Sequence, residues 1–221
     1  MATSSSPVTS IRLVVGGDSI AQGAGPANGV NESAYVSFRG PLYQALTQAG
    51  LTVNMIGTRS TPVRNNLSPT YHDAQGGAML DTSPQVISIS ALMDEFKAAY
   101  PNGPYDDLVY VLEGGTNNIY TDTPTDIAAK WQALIQKQQT LFPGSYLVMV
   151  GMMPASWIDS SFYSAINPVL ASADTGGKVI NALMANAGLV STDYEPDATH
   201  LSEAGSIKVG SWLSSQLRSR L

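Results

Sequence analysis

Three short polar segments of the chain carry residue types that can act together in one reaction. They are Gly17-Asp18-Ser19, Gly115-Thr116-Asn117 and Asp197-Ala198-Thr199-His200. Acyl transfer to a serine requires a nucleophile, an oxyanion donor, a base and an acid that orients the base. Ser19, Asn117, His200 and Asp197 are the matching side chains. An aspartate three residues before a histidine can reach the ring in a turn and fix its tautomer.

Each segment also has an ordinary structural interpretation. Asp18 or Ser19 can cap the N-terminus of a helix, and two asparagines after two glycines are common in tight turns. Asp197 can lie near a helix N-terminus with His200 in solvent. The position of the three segments relative to the predicted strands therefore decides between the interpretations.

Short apolar runs predict five buried strands: Ile11–Val15, Val53–Ile56, Leu108–Leu112, Tyr146–Val150 and Lys178–Leu183. Helical spacing of apolar residues predicts five helices: Phe38–Ala49, Val86–Tyr100, Thr125–Leu141, Phe162–Ala171 and Ser202–Leu217. The last helix has Ile207, Val209, Leu213 and Leu217 as apolar positions. Thr58–Pro84 has no periodicity and predicts a long loop, a kind of segment that is usually functional.

The alternation of strands and helices predicts a three-layer α/β/α sandwich with a central parallel sheet of about five strands. Residues 11–221 are expected to form a single domain, preceded by a disordered polar segment over residues 1–10. In such a fold, sites form at the C-terminal edge of the sheet. All three polar segments lie in loops at that edge, which favours the catalytic interpretation.

The composition excludes several other classes of site. The 221 residues include no cysteine, so there is no thiol nucleophile, thiolate metal site or disulfide. The two histidines, His72 and His200, exclude a site of three imidazoles in one chain. The formal net charge of −6 argues against nucleic acid as a partner. No apolar run is long enough to insert into a membrane.

The three segments resemble the characteristic blocks of the SGNH, or GDSL-like, serine hydrolases, and the resemblance runs from about Ile11 to the end of the chain. Phe38-Arg39-Gly40-Pro41-Leu42 through Gly57 is similar to carbohydrate esterase family 3, a branch that includes acetylxylan esterases. The resemblance implies a flavodoxin-like sandwich, Ser19, Asp197 and His200 as catalytic residues, and no metal or cofactor. It also implies an oxyanion hole formed by Ser19, Asn117 and Gly77, with Gly76 as the alternative to Gly77.

The sequence departs from the family at Asn118, where the family usually has an aspartate. The loop is expected to keep its shape while its local electrostatics change. As a rival base, His72 would need a carboxylate partner, but its neighbour Asp73 should point the opposite way in an extended chain. His72 is therefore expected to be structural or to line the pocket. Asp18, His72 and Trp157 are the predicted substrate-binding residues. Trp131 and Trp212 are expected in the core.

The resemblance implies a serine esterase that hydrolyses short acyl esters, acetyl esters in particular, of small molecules or carbohydrates. Two alternatives stay open: a lipid-directed esterase, lysophospholipase or thioesterase on the same fold, and a non-catalytic carbohydrate-binding relative. We expect no signal peptide in this chain. Whether a signal peptide was removed and replaced by Met1 stays open. Only 13% of the residues are charged, and such a low charged fraction is common in exported proteins. It favours secretion over a cytoplasmic location. The oligomeric state is open.

Overall fold

The computed structural model describes residues 8–23, 36–62, 70–81 and 86–221. Its strands are β1 (Ser10–Gly17), β2 (Thr52–Met55), β3 (Arg59–Ser60), β4 (Tyr71–Ala74), β5 (Leu108–Glu113), β6 (Tyr146–Gly151) and β7 (Val179–Asn181). Its α-helices are α1 (Ser19–Gln22), α2 (Arg39–Gln48), α3 (Ile89–Ala99), α4 (Pro124–Leu141), α5 (Ser160–Ala173) and α6 (Glu203–Arg218). Short 3₁₀ helices span Thr116–Tyr120, Met184–Ala187 and Ser191–Asp193.

The strands form one mostly parallel sheet in the order β3-β4-β1-β5-β6-β7, with β2 also paired to β1. Strand β1 pairs with β2 along its first half, with β4 at its end, and with β5 on the other side. Only the β3–β4 pair is antiparallel among the described strands. The predicted α/β sandwich is thus confirmed, with seven strands rather than about five.

The helices form two groups, as right-handed crossovers on the two faces of a parallel sheet require. Helix α2 packs against α6, while α4 packs against α5 and α3. Strands β5 and β6 are buried along their whole length, which explains their uninterrupted apolar sequences. Trp131 is fully buried in the core, whereas Trp212 is partly buried against it.

Two predictions about elements were wrong. The predicted loop Thr58–Pro84 contains β3 and β4, and its residues 63–69 and 82–84 lie outside the described part. Strand β4 has no apolar pattern because it buries His72 and Asp73 through hydrogen bonds. Ile207 is 50% exposed on α6, so it is not one of that helix's core positions.

The first strand begins at Ser10, one residue before its predicted start. Residues 1–7 of the N-terminal segment predicted to be disordered lie outside the described residues. Within the described ranges, none of the helices combines the length and the apolar character needed to cross a membrane.

Candidate active site

Ser19 is the first residue of α1 and directly follows the central strand β1. Asp18 caps this short helix, because its carboxylate accepts a hydrogen bond from the backbone N–H of Ile20 at 3.0 Å. The turn closes with the N–H of Gly23 donating to the carbonyl of Ser19 at 2.8 Å. Ser19 is therefore presented at the C-terminal edge of the sheet by a strand with neighbours on both sides.

Asp197 and His200 lie in the loop between the 3₁₀ helix Ser191–Asp193 and α6. The loop is closed at its base by an antiparallel bridge between Tyr194 and Leu201. Within it, Ala198 adopts a positive φ of 55°, a conformation that is costly for a residue with a Cβ atom. The resulting turn brings the Asp197 carboxylate back onto the His200 ring.

The three predicted catalytic side chains form a continuous hydrogen-bonded chain. Asp197 Oδ2 lies 2.5 Å from His200 Nδ1, and His200 Nε2 lies 2.9 Å from Ser19 Oγ. Because a carboxylate faces Nδ1, that nitrogen carries the ring proton and Nε2 is left to accept from Ser19. This is the arrangement in which a neutral imidazole can remove the hydroxyl proton.

The hydrogen bonds around Asp197 keep it ionised. Burial pushes the pKa of this carboxyl upward, but hydrogen bonds from His200 and from the backbone N–H groups of Thr199 and His200 outweigh it. Both N–H groups donate to Oδ1 at 3.0 Å. The net effect is a pKa below the usual value, so the group that orients the base is negatively charged near neutral pH.

The predicted main-chain donors of the oxyanion hole are the backbone N–H groups of Ser19 and Gly77. Within the described ranges, neither Ser19 N–H nor Gly77 N–H has a hydrogen-bond partner. Gly77 is exposed and adopts a φ of 78°, which favours glycine. The N–H of Gly76, in contrast, donates to Gln22 Oε1 at 2.5 Å. The geometry therefore favours Gly77 over Gly76 as the donor.

Asn117, the third predicted oxyanion donor, is anchored by its side-chain amide. Its Nδ2 donates to the carbonyl of Ala78 at 3.0 Å and makes a long contact of 3.4 Å with Asp18 Oδ2. An amide nitrogen has two hydrogens, so the first bond fixes the group and the weak second contact can be exchanged for a ligand oxygen. Asn117 thus links Ala78, which follows Gly77, to Asp18, which precedes Ser19.

The structure corrects two predicted substrate-binding residues. Asp18 is fully buried as the cap of α1, so it does not face a substrate. His72 is also fully buried, with Nδ1 accepting from the N–H of Ala74 at 3.1 Å and Nε2 lying 2.9 Å from Thr61 Oγ1. Burial lowers the pKa of His72 to about 3, aided by the charges of Arg39 and Arg59. His72 is a neutral structural residue.

Trp157, the third predicted substrate-binding residue, lies at the edge of the site. Its Nε1 donates to Thr199 Oγ1 at 2.9 Å, next to His200. The indole is nearly parallel to the ring of Tyr120, with centroids 6.1 Å apart and an interplanar angle of 20°. Trp157 is 41% exposed and Tyr120 is 74% exposed. Two open aromatic rings therefore lie beside the loops that carry Asn117 and His200.

Sequence reasoning missed two buried residues that support the site. Arg39 donates to the carbonyls of Ala21 and Gln22, both at 2.9 Å, and so satisfies the C-terminal end of α1. Burial lowers its pKa to about 9, which leaves it charged near neutral pH. Glu113 contacts the serine loop from the end of β5. For Arg39 and for Glu113, the sequence signal that could have indicated burial is a charged residue within an apolar stretch.

Asn118, the departure from the family pattern, is fully buried. Its Oδ1 accepts from the N–H of Leu80 at 2.9 Å, and its Nδ2 donates to Asp122 Oδ2 at 2.5 Å. Lys130 also binds Asp122, at 2.7 Å. The amide therefore supplies both a donor and an acceptor, and it holds the segment that carries Asn117 in place without a charge at position 118. Across the ranges that the structure describes, no group of three or more acidic or histidine side chains could hold a metal.

The similarity to solved structures shows that the chain has the fold of the SGNH, or GDSL, hydrolases. The family 3 carbohydrate esterase of Clostridium thermocellum is similar, with a TM-score of 0.72, 23% identity and 94% of each chain covered. An acetyl esterase determined with an acetate ion has a TM-score of 0.71 and 16% identity, with 94% of this chain and 96% of that chain covered. A member of the lipolytic G-D-S-L family from Veillonella parvula has a TM-score of 0.60 and 16% identity, with 96% and 100% covered. No family model and no curated protein matches the sequence.

Proposed function

We propose that the protein is a serine esterase that hydrolyses short acyl esters, acetyl esters in particular, carried by carbohydrates. The observation that carries the proposal is the unbroken chain from Asp197 through His200 to Ser19 Oγ. The names of two structural neighbours, a carbohydrate esterase and an acetyl esterase, support the choice of substrate.

In the proposed reaction, His200 Nε2 takes the hydroxyl proton as Ser19 Oγ attacks the ester carbonyl carbon. The negative charge that forms on the carbonyl oxygen is bound by the N–H groups of Ser19 and Gly77 and by the Asn117 amide. His200 then gives its proton to the departing alcohol, which leaves an acyl group on Ser19. A water molecule, deprotonated by His200, releases the acid and restores the serine.

The exposed rings of Tyr120 and Trp157 support a carbohydrate as the alcohol portion of the ester. Their offset, nearly parallel arrangement presents an apolar surface with polar edges beside the loop that carries His200. Rings of this kind are suited to ligands that are apolar on one side and hydrated on the other. A sugar ring has C–H groups on its face and hydroxyl groups on its rim, so it matches this surface.

The serine mechanism is tested by hydrolysis of p-nitrophenyl acetate, butyrate and octanoate. Ser19→Ala should lower kcat by about 10⁶-fold, as loss of the nucleophile does in another triad enzyme. Ser211→Ala is the matched control, because Ser211 is exposed on α6, away from the triad. Equal rates for the parent and Ser19→Ala would contradict the mechanism. A preference for octanoate would instead favour a lipid-directed esterase.

The carbohydrate portion is tested by replacing the aromatic rings. Trp157→Ala should lower kcat/KM on acetylated xylo-oligosaccharides roughly tenfold, which corresponds to about 1.4 kcal/mol, and leave methyl acetate hydrolysis little changed. Ile207→Ala is the control for loss of an exposed apolar side chain. Equal losses on the sugar ester and on methyl acetate would contradict a sugar-binding role.

A further inference from the structure

Asp18 and Glu113 form a buried carboxyl pair directly beneath the reacting serine. Both side chains are fully buried, and each raises or lowers the pKa of the other. Glu113 Oε2 also accepts from the backbone N–H of Asp18 at 3.3 Å. A Cβ atom at Gly17 would lie 2.8 Å from Glu113 Oε2, so the glycine of the serine loop is what lets the carboxyl group approach.

The pair must hold a proton. Two neighbouring carboxylates that are out of water strongly disfavour each other's ionised form, so one of them keeps its proton. Among the described residues, no lysine or arginine forms a hydrogen bond or ion pair with either group. Charge repulsion is therefore relieved by keeping one of the two carboxyl groups neutral.

The surrounding donors indicate that the proton belongs to Glu113. The Asp18 carboxylate receives the N–H of Ile20 at 3.0 Å and the Asn117 amide at 3.4 Å, whereas Glu113 Oε1 has no partner in the described part of the chain. Burial raises the pKa of Glu113 well above its usual value, and the charge of Asp18 raises it further. The other titratable group that faces the pair is His200.

We propose that Glu113 is a positioning residue whose protonated carboxyl group donates to Asp18 and limits the buried pair to one negative charge. This role rests on the proposed esterase function, because it acts through the Asn117 amide. The Glu113 hydrogen bond withdraws charge from Asp18, so the contact between Asp18 and Asn117 stays weak and the amide is free to bind the oxyanion. A second negative charge beneath Asn117 would oppose the charge that forms on the substrate.

Infrared spectroscopy of the folded protein tests the protonation without any substrate. Near neutral pH, the parent should show the C=O band of a protonated carboxylic acid, and Glu113→Gln should lose it. Asp73→Asn should keep it. Asp73 is the matched control, since it is an equally buried carboxyl group on the same sheet that is bonded to Tyr110 and Thr58. Absence of a band that depends on Glu113 would overturn the proposal.

Kinetics tests the positioning role. Glu113→Leu removes the donor and should lower kcat by about 10²-fold with little change in KM, because the side chain does not reach the substrate. Glu113→Gln restores a neutral donor and should recover most of kcat, and this variant decides the outcome if Glu113→Leu fails to fold. A Glu113→Gln variant as slow as Glu113→Leu would overturn the role. An inactive parent would contradict the proposed function, whereas the infrared band would still report the proton.

Discussion

His200 Nε2 lies 2.9 Å from Ser19 Oγ, although the two residues are 181 positions apart in the chain. Helix α6, which follows His200, packs against α2. A Cβ atom at Gly210 would lie 2.6 Å from the backbone nitrogen of Leu42, so the two helices meet almost at backbone distance. The contact between Ser19 and His200 thus joins the first strand to the segment just before the last helix.

Asp197→Asn should lower kcat on p-nitrophenyl acetate by about 10⁴-fold, because an amide no longer holds His200 in the tautomer that accepts from Ser19. The backbone bonds of Thr199 and His200 to the side-chain oxygen can persist in the variant. Circular dichroism should therefore match the parent. A loss of less than tenfold in kcat would show that Asp197 does not orient the base.

Asn117→Ala should lower kcat by about 10²–10³-fold, the usual cost of removing one oxyanion donor. Asn186→Ala, at an exposed asparagine on a distant 3₁₀ helix, is the control and should leave kcat unchanged. The measurement is kcat and KM for p-nitrophenyl acetate. An effect confined to KM would indicate that the amide binds the ground state rather than the oxyanion.

His72→Gln should preserve most of the activity and lower the free energy of unfolding in a pH-dependent way. The folded-state pKa of His72, about 3, lies below the ordinary value of 6.5, so only the unfolded state gains a proton between these values. The stability that neutral His72 contributes is therefore fully present above pH 6.5 and is lost as the pH falls toward about 3.

Glutamine does not titrate, so the stability difference between the parent and His72→Gln should shrink as the pH falls through this window. Urea unfolding at neutral and mildly acidic pH measures the difference. A constant difference would contradict the assignment of His72 as a buried neutral residue. In the same assay of ester hydrolysis, His200→Gln should lose activity, which separates the two histidines.

Asn118→Asp should destabilise the protein near neutral pH by about 1–3 kcal/mol, because a buried donor would be replaced by a carboxylate facing Asp122. Lys130 offsets part of the repulsion through its bond to Asp122. One carboxyl pKa in the pair should be raised in the folded state, so the lost stability should return as the pH falls. Thermal unfolding at neutral and acidic pH tests this, and an equal loss at both would contradict it.

The order of elements and the triad segments could be predicted from the sequence because each depends on local patterns. Apolar runs such as Leu108–Leu112 are uninterrupted where a strand is covered on both faces. Loops at the ends of parallel strands meet at one edge of the sheet, so the strand pattern alone predicts that Ser19, Asn117 and His200 lie together.

The polar residues that support the site could not be predicted because their burial depends on distant partners. Strand β4 buries His72 only because Thr61 and Ala74 satisfy its ring nitrogens. Arg39 is buried because the carbonyls it binds, at Ala21 and Gln22, come from another segment of the chain. A hydropathy pattern contains no information about such pairs.

The central position of β1 also places the two parts of the site on different kinds of segment. Ser19 follows a strand that pairs with three others, while Asp197 and His200 lie on a loop that is closed at its base by the Tyr194–Leu201 bridge. Changes in the length or sequence of that loop would alter the position and the surroundings of His200 without changing the sheet. The architecture thus combines a firmly held nucleophile with an acid–base pair that evolution or an engineer can adjust separately.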